Sequence, residues 1–541
     1  MSTDCLDATI SSQDEFPPRA DLRQMLARRP LPVVSPDLVD PISMSRDETM
    51  KQARTILSLV NDALSSGDVK ALASCFLPTQ AYWKDQLALT YHLRTFNTPG
   101  VIAAALLETT KLRGLEGRLE ADGTAEFVPA TPTHGLDIHK EDPQLLILPG
   151  RRLDNCQTID TDVFIIGGGN AAVSLSARLK ALGVESVMAE RNASPGDNWA
   201  RRYDCMRFHI PTSACDLPYM GKWNQLRSPH LLSRDELASQ VRRYVETFNL
   251  NMITSTRIES TQYDPASKLW ESVLIVGSAN TAFDVIEDTH AAGLETTMVA
   301  RSPTYVIPVE YLTDKRSLGA HDLGVEETDW LLQTMPTLVD AQLSAGLLTQ
   351  FASEEPNRYH NLSNAGFSVI DSCHPDAVLF HYLLERAGGH YVDVGGTKLL
   401  EDGRVRIKAG VEPVAYTPTG LRFSDNSTID VDAVVWCTGF ADKDIRHTAR
   451  EILGRHTHTE NKNVLTSEDI ASRLDATGGV DLEGEIRGMW KRHPRLGDNF
   501  WIMGGFTSQH RWHSRTLALQ IKAALEGILP PAYRETPTVG I

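Results

Sequence analysis

The sequence predicts an α/β protein with two dinucleotide-binding, Rossmann-like domains, one inserted into the other, and a small N-terminal appendage of α+β or helical type. Three observations carry that reading. Small-residue turns at 167–172 and 277–282 each follow a short apolar strand and open a helix. Each helix leads to a second apolar strand with a charged residue at its end, Glu190 in the first case and Arg301 in the second. Strand–turn–helix–strand is the repeating unit of a parallel sheet with crossover helices. The third observation is a change of character at Asp162, before which the apolar spacing is mostly helical and Pro, Ser and Asp punctuate the chain.

The 541 residues allow several domain-sized units and more than one core. With 41% hydrophobic and 23% charged residues, a wholly disordered, collagenous or disulfide-scaffold protein is excluded. A net charge of −17 argues against nucleic acid or an anionic membrane as partner of the whole chain, while leaving room for a local phosphate pocket. The seven cysteines are widely spaced and form no CxxC, so reduced thiols are expected and dithiol–disulfide reductase chemistry is disfavoured. The acidic start MSTDCLDATISSQDEFPP has neither signal nor transit character. No apolar run approaches the ~18 residues of a membrane span. A cytoplasmic protein is expected.

Residues 1–45, rich in Pro, Ser and Asp, read as a flexible leader able to lie over another domain. Asp47 opens a helical pattern with Met50, Ala53, Ile56, Leu57, Val60 and Leu64 on one face, stopped by Ser66-Gly67-Asp68. Further helices are expected at Val69–Phe76 and Val101–Leu112, and a strand pair at Gly117–Glu120 and Ala125–Val128. The run GDVKALASCFLPTQAYWKDQLALT resembles the start of a nuclear-transport-factor-like or polyketide-cyclase-like cone domain. An irregular helical appendage is the equal alternative for 46–130. Residues 131–159 read as a linker.

The first signature is Gly167-Gly168-Gly169-Asn170-Ala171-Ala172, between strand Val163–Ile166 and helix Val173–Leu182. The first Gly of Gly-x-Gly-x-x-Ala permits the tight turn, the second lets backbone approach a pyrophosphate, and Ala172 allows close helix–strand packing. The helix N-terminus offers its N–H groups to the phosphates. The next strand, Ser186–Ala189, ends at Glu190, 18 residues beyond Ala172 and placed to accept from ribose hydroxyls. A glycine-rich turn without a ligand is the alternative.

The second signature is Gly277-Ser278-Ala279-Asn280-Thr281-Ala282, between strand Ser272–Val276 and helix Phe283–Ala292. Two of its three glycine positions hold Ala, so the strand end decides. Strand Thr296–Ala300 ends at Arg301-Ser302. An acid there would select a free ribose hydroxyl, whereas Arg301 suits a 2′-phosphate and hence NADP. A surface arginine is the alternative. One acid-ended and one Arg-ended fold in one chain point to two cofactors, FAD and NADPH.

From residue 160 to 541 the chain resembles the flavin-containing monooxygenase family, nearest the plant auxin-pathway (indole-pyruvate) branch and its fungal relatives. Glu190-Arg191-Asn192 followed by Pro195-Gly196-Asp197-Asn198-Trp199 matches the family's Gly-(Gly/Asp)-x-Trp loop. The stretch Tyr203–Pro211 places His209 where many members carry an Asn near the flavin and the auxin branch carries His. Ala300–Tyr305 matches the NADPH-side strand end. Val434–Phe440 matches the Ala-Thr-Gly-Phe/Tyr motif at the return to the flavin domain, with Cys437 for Ala. Phe500–Phe506 reads as strand then turn, and helix Arg515–Leu525 follows it.

The resemblance implies a flavin domain of 160–271 and 411–541 with an NADPH domain, 272–410, inserted. It implies that NADPH reduces FAD, that reduced flavin takes up oxygen as a hydroperoxide, and that a small organic substrate is oxygenated. His209 is the implied catalytic residue, and no metal is needed. The implied cofactor contacts are Gly167, Gly168, Gly169, Asn170, Ala171, Ala172, Glu190, Arg191, Asn198 and Trp199 in the first unit. In the second they are Gly277, Ser278, Ala279, Asn280, Thr281, Arg301 and Ser302, with Thr438 and Gly439 at the crossing. Substrate choice is expected from Thr313–Pro375 and the appendage.

The pattern breaks at Glu271. Family members carry about sixty further residues there, including an earlier Thr-Gly crossing and a Phe-x-Gly-x-x-x-His fingerprint, whereas Glu271 alone joins Trp270 to Ser272 and inter-sheet connections take several residues. On that ground two other readings stay open: a degenerate relative that binds nucleotide without oxygenating, and an uncoupled NADPH oxidase or reductase.

Overall fold

The computed structural model describes residues 20–28, 46–78, 81–86, 93–112, 115–119, 125–129, 141–150, 161–220, 230–256, 272–276, 278–439, 445–453, 467–491, 493–496 and 500–529. The meander expected at Thr261–Tyr263 and Lys268–Trp270, the junction at Glu271, and the positions of Gly277 and Phe440 lie outside them.

The leader contributes α1 (Leu22–Arg28), which is docked rather than free. Leu22 is fully buried among Leu338, Ala341, Val378 and Val480, and its N–H donates to Glu385 Oε1 at 3.1 Å. The appendage follows as α2 (Arg46–Ser66), α3 (Val69–Ser74), β1 (Trp83–Gln86), β2 (Leu93–Phe96), α4 (Pro99–Leu112), β3 (Leu115–Leu119) and β4 (Ala125–Pro129). Asp68 stops one helix and caps the next, its carboxylate accepting from the N–H groups of Lys70 and Ala71. Val60, Leu72, Phe96, Ile102 and Leu106 form its core. The appendage is therefore α+β. Its strands make two separate antiparallel pairs, β1–β2 and β3–β4, and the described residues form no many-stranded cone.

The first nucleotide unit holds β5 (Val163–Ile166), α5 (Asn170–Ala181), β6 (Ser186–Ala189), α6 (Asp197–Ala200), α7 (Arg234–Thr247) and β7 (Met252–Ile253). The strands are parallel in the order β5-β6-β7. Ser233 and Glu236 cap α7 reciprocally.

The second unit opens with β8 (Ser272–Val276), α8 (Asn280–Ala291), β9 (Glu295–Ala300) and β10 (Thr304–Pro308). A mostly helical stretch follows, α9 (Val309–Thr313), α10 (Val325–Thr334), α11 (Thr337–Glu354) and α12 (His360–Asn364), then β11 (Val369–Ile370), β12 (His390–Asp393), α13 (Thr397–Glu401) and β13 (Arg406–Ala409). A meander, β14 (Pro413–Thr417), β15 (Gly420–Phe423) and β16 (Thr428–Asp430), leads to β17 (Ala433–Trp436). The main sheet is parallel, β13-β9-β8-β17, and β11-β10-β12 is a smaller parallel sheet. Leu421 and Phe423 of the meander pack on Leu274 and Val299.

The pairing of β17 with β8, Ala433 opposite Val273 through Trp436 opposite Val276, corrects one expectation. Residues 411–436 extend the second unit instead of belonging to the first. After α14 (Ile445–Ile452) and α15 (Ser467–Arg473), the chain does return to the first unit. There α16 (Thr507–Leu525) buries Leu517, Ala518 and Ile521 in one core with Val173, Leu175 and Val241. Phe500–Phe506 forms no strand of a nucleotide sheet. It runs beside Trp490 and His493 instead, with Trp490 N–H donating to Ile502 O at 2.8 Å and Trp490 Nε1 to Gly504 O at 2.7 Å. Among the described residues β5 is thus an edge strand, and Phe164 and Ile166 stay 51% and 39% exposed.

The loop Asp481–Glu485 wedges the appendage against α11. Glu485 is fully buried and accepts from Thr95 Oγ1 at 2.6 Å and Thr337 Oγ1 at 2.7 Å, with Lys84 Nζ at 3.6 Å. Asp481 accepts the N–H groups of Glu483 and Glu485. Burial, then the charges of Glu483 and Glu485, push its carboxyl up to about 7 from an ordinary 3.8. The folded state then holds a proton that the unfolded state has released, so this group's contribution to stability falls as pH rises from about 4 to about 7. Asp481→Asn keeps the acceptor without the charge. In urea unfolding its stability relative to the wild type should rise from pH 5 to pH 8; a pH-independent difference would refute this assignment.

Candidate functional site: two nucleotide cradles and their junction

In the first cradle, Gly169 stands at the N-cap of α5, which has no side-chain cap, so the first-turn N–H groups are left for a ligand. Gly167 has φ +107°, a conformation that suits Gly alone. Gly168 N–H donates to Glu190 Oε2 at 2.7 Å. Glu190 Oε1 accepts from Asn192 N–H at 2.8 Å and Asn192 Nδ2 at 2.5 Å. The strand-end acid is thereby buried and fixed, with acceptor capacity left on Oε2.

Gly196 presses α6 onto α7: a Cβ there would lie 2.3 Å from Ala238 O, and its φ is +80°. This contact brings Asn198 and Trp199 over the turn. Trp199 Nε1 donates to Asn170 Oδ1 at 2.8 Å. Asn170 Nδ2 and Asn198 Oδ1 are buried without a hydrogen-bond partner. Ala171 lies in the first turn, Ala172 is buried behind it, and Arg191 points to solvent. An uncapped helix end, an unpaired amide donor and an open Gly169 together fit a dinucleotide's pyrophosphate.

The second cradle repeats the plan. α8 starts after Ala279, again without a side-chain cap. Ser278 Oγ bonds Thr304 Oγ1 at 2.6 Å, and Asn280 Oδ1 accepts Val392 N–H at 2.8 Å, which ties the turn to β12. Thr281 is exposed and Ala282 buried. Arg301 and Ser302 are exposed at the end of β9, with Arg301 Nη1 3.4 Å from Glu412 across solvent. Thr438 and Gly439 continue from β17, whose neighbour is β8. They follow directly on a strand of the second unit's sheet, at the crossing where the resemblance had placed them.

His209 lies between the cradles. Its Nε2 is 3.0 Å from Asp284 Oδ1, and Asp284 Oδ2 accepts from Tyr203 OH at 2.6 Å. His209 and Asp284 are 4% and 3% exposed. Burial and then the Asp284 contact push the Tyr203 hydroxyl up, so it stays a donor. Burial, then the Asp284 charge, push the Cys437 thiol up to about 11. Sequence reasoning missed Asp284, although an acid inside the apolar run Ala282-Phe283-Asp284-Val285-Ile286 was a readable signal.

No family model matches the sequence. Over 333 residues the chain is 22% identical to the probable indole-3-pyruvate monooxygenase YUCCA1 of Arabidopsis thaliana, covering 51% of this chain and 74% of that protein. It is 20% identical over 338 residues to indole-3-pyruvate monooxygenase YUCCA1 of Oryza sativa subsp. japonica, covering 51% and 76%. The chain is thus similar to flavin monooxygenases, with its curated relatives in the YUCCA branch. Among solved structures it is similar to a flavin-containing monooxygenase from Stenotrophomonas maltophilia, with 15% identity, 67% of this chain and 98% of that one covered, and a TM-score of 0.36.

In this flavin monooxygenase relative the two central glycines of the first turn are not equivalent. A Cβ on Gly168 would come within 2.9–3.1 Å of the Glu190 side chain, whereas one on Gly169 finds its nearest neighbour, Asn198 Nδ2, at 3.5 Å. Gly168→Ala should cost about 1–3 kcal/mol of stability in the ligand-free protein. Gly169→Ala should leave the ligand-free protein nearly unchanged. Chemical unfolding of both variants checks the order, and equal losses would refute it.

Proposed function

We propose that the chain is an FAD- and NADPH-dependent monooxygenase acting on a small organic substrate with oxygen. The observation that carries this reading is the pair of uncapped helix N-termini with opposite strand-end residues, Glu190 and Arg301, joined through His209 and Asp284. Similarity to the YUCCA indole-3-pyruvate monooxygenases supports it. FAD, when bound, would supply hydride acceptance and oxygen activation. The N–H groups of Asn170 and Ala171 would hold its pyrophosphate, Glu190 its ribose hydroxyls, and Asn198 with Trp199 the cradle's lid. The first turn of α8 would hold the NADPH pyrophosphate, and Arg301 with Ser302 its 2′-phosphate. His209 would contact the reacting region, shielded from water by Trp199, Phe208 and Tyr391.

The break at Glu271 belongs to the same proposal. The aligned stretch with Arabidopsis YUCCA1 runs over 333 residues yet takes in 51% of a 541-residue chain, which supports a shortened segment within this chain. The exposed side chains of Phe164 and Ile166 on β5 are consistent with a covering strand lost there.

The decisive test is the visible spectrum of the purified chain after incubation with FAD and gel filtration. A retained flavin band is expected, and folded, colourless protein would refute the reading. Gly169→Asp should abolish retention, because a carboxylate would meet the pyrophosphate at the helix N-terminus. NADPH should be preferred over NADH about ten- to hundredfold, the worth of one charge-assisted phosphate contact. Arg301→Ala should remove most of that preference by weakening NADPH, with NADH little changed. Equal use of both nucleotides by the wild type would overturn the assignment of Arg301.

A further inference from the structure

We propose that Asp284 is a positioning residue that fixes the His209 proton on Nε2, presents Nδ1 as a bare acceptor between the cradles, and couples the binding of one nucleotide to the other. The inference rests on the reading of both cradles as nucleotide sites, and its geometry stands independently of any ligand.

An ionised carboxylate only accepts hydrogen bonds. Asp284 takes one from Tyr203 OH at 2.6 Å, and its other oxygen faces His209 Nε2 at 3.0 Å, so Nε2 must carry hydrogen. In the neutral ring Nδ1 is then a lone-pair acceptor. It is buried and has no hydrogen-bond partner. A buried acceptor left unsatisfied costs free energy that a ligand donor would recover. His390, whose Nδ1 also lacks a partner, stays neutral beside it: burial above all holds its imidazole down at about 4. The ring of Tyr391 closes the other side, its centroid 6.1 Å from that of His209.

The same residues make a short packed path between the cradles. Asn170, in the first turn of α5, holds Trp199 Nε1 at 2.8 Å. The Trp199 ring meets Phe208 edge-on at 5.2 Å, and Phe208 adjoins His209 in sequence. His209 then binds Asp284, which lies one turn along α8 from Asn280. Ordering of either helix N-terminus by a phosphate therefore acts on the other through side chains with little room to move. By linkage, NADP⁺ should tighten FAD by the same factor by which FAD tightens NADP⁺.

The experiment uses the full chain and two readouts. The first is imidazole ¹⁵N NMR of the ligand-free protein, with His209 assigned by His209→Gln. The wild type should show His209 with hydrogen on Nε2 and a bare Nδ1. Asp284→Asn, whose amide can donate as well as accept, should lose that preference. The second readout is FAD titration by fluorescence with and without saturating NADP⁺. NADP⁺ should tighten FAD about tenfold in the wild type, within the usual range of allosteric coupling. In Asp284→Asn and Asp284→Ala it should do so less than about twofold. An Nδ1–H tautomer in the wild type, or undiminished NADP⁺ coupling in both variants, would overturn the proposal. If the wild type binds no FAD, the nucleotide reading and the coupling fall together, and the tautomer readout still decides the positioning role of Asp284. Circular dichroism separates these outcomes from loss of fold.

Discussion

A carboxylate buried between two sheets is the constraint around which this molecule is arranged. Burying Asp284 would be strongly unfavourable unless its oxygens were matched by donors. Tyr203 and His209, both from the segment that follows α6, supply them. The match requires α8 of the second unit to face the loops of the first unit at hydrogen-bond distance. The helices α5 and α8 are each left without a side-chain cap, so an anion there would meet first-turn N–H groups that no side chain satisfies.

A second buried charge holds the return of the chain. Arg511 on α16 is 6% exposed and donates to the carbonyls of Ala214 and Asp216 at 3.2 and 2.5 Å. It also reaches both oxygens of Asp329 on α10, at 2.5 and 2.7 Å. Against the burial that pushes it up, the bonds from His321 and Arg511 keep the Asp329 carboxyl below its ordinary range. Thus the helical stretch after β10, the 3₁₀ turn at Thr212–Cys215 and the final helix are tied at one guanidinium. Its planar fork meets a carboxylate and two carbonyls at once, which an ammonium group could not do.

Much of this was legible in the sequence, for a physical reason. β5, β6 and β8 were read with the ends they have, because short apolar strands between small-residue turns leave little choice of boundary. The helices after those turns were read three residues late, at Val173 and Phe283, since apolar periodicity begins only where the buried face begins. The backbone is already helical at Asn170 and Asn280, whose side chains serve the turn instead of the core. Residues 411–436 were assigned to the first unit because sequence order cannot say which strand a crossing strand will pair with. The pairing of β17 with β8 is long-range, set by Leu274, Val276 and the meander packed on them. Asp284 was missed because its partners lie some eighty positions earlier in the chain, at Tyr203 and His209.

The edge of the first sheet brings these points together. Val163–Ile166 has the composition of a strand buried on both faces, yet its side chains alternate between covered and exposed. Among the described residues, a strand of central composition that stands at an edge is a local conflict between pattern and placement. The C-terminal stretch Phe500–Phe506, the nearest apolar segment to α16, lies elsewhere, with the carbonyls of Phe500, Ile502 and Gly504 accepting from His493 and Trp490. The conflict falls on the strand that leads into Gly167. A strand laid along β5 would pair an open edge and brace the strand that leads into the turn on which Glu190 closes.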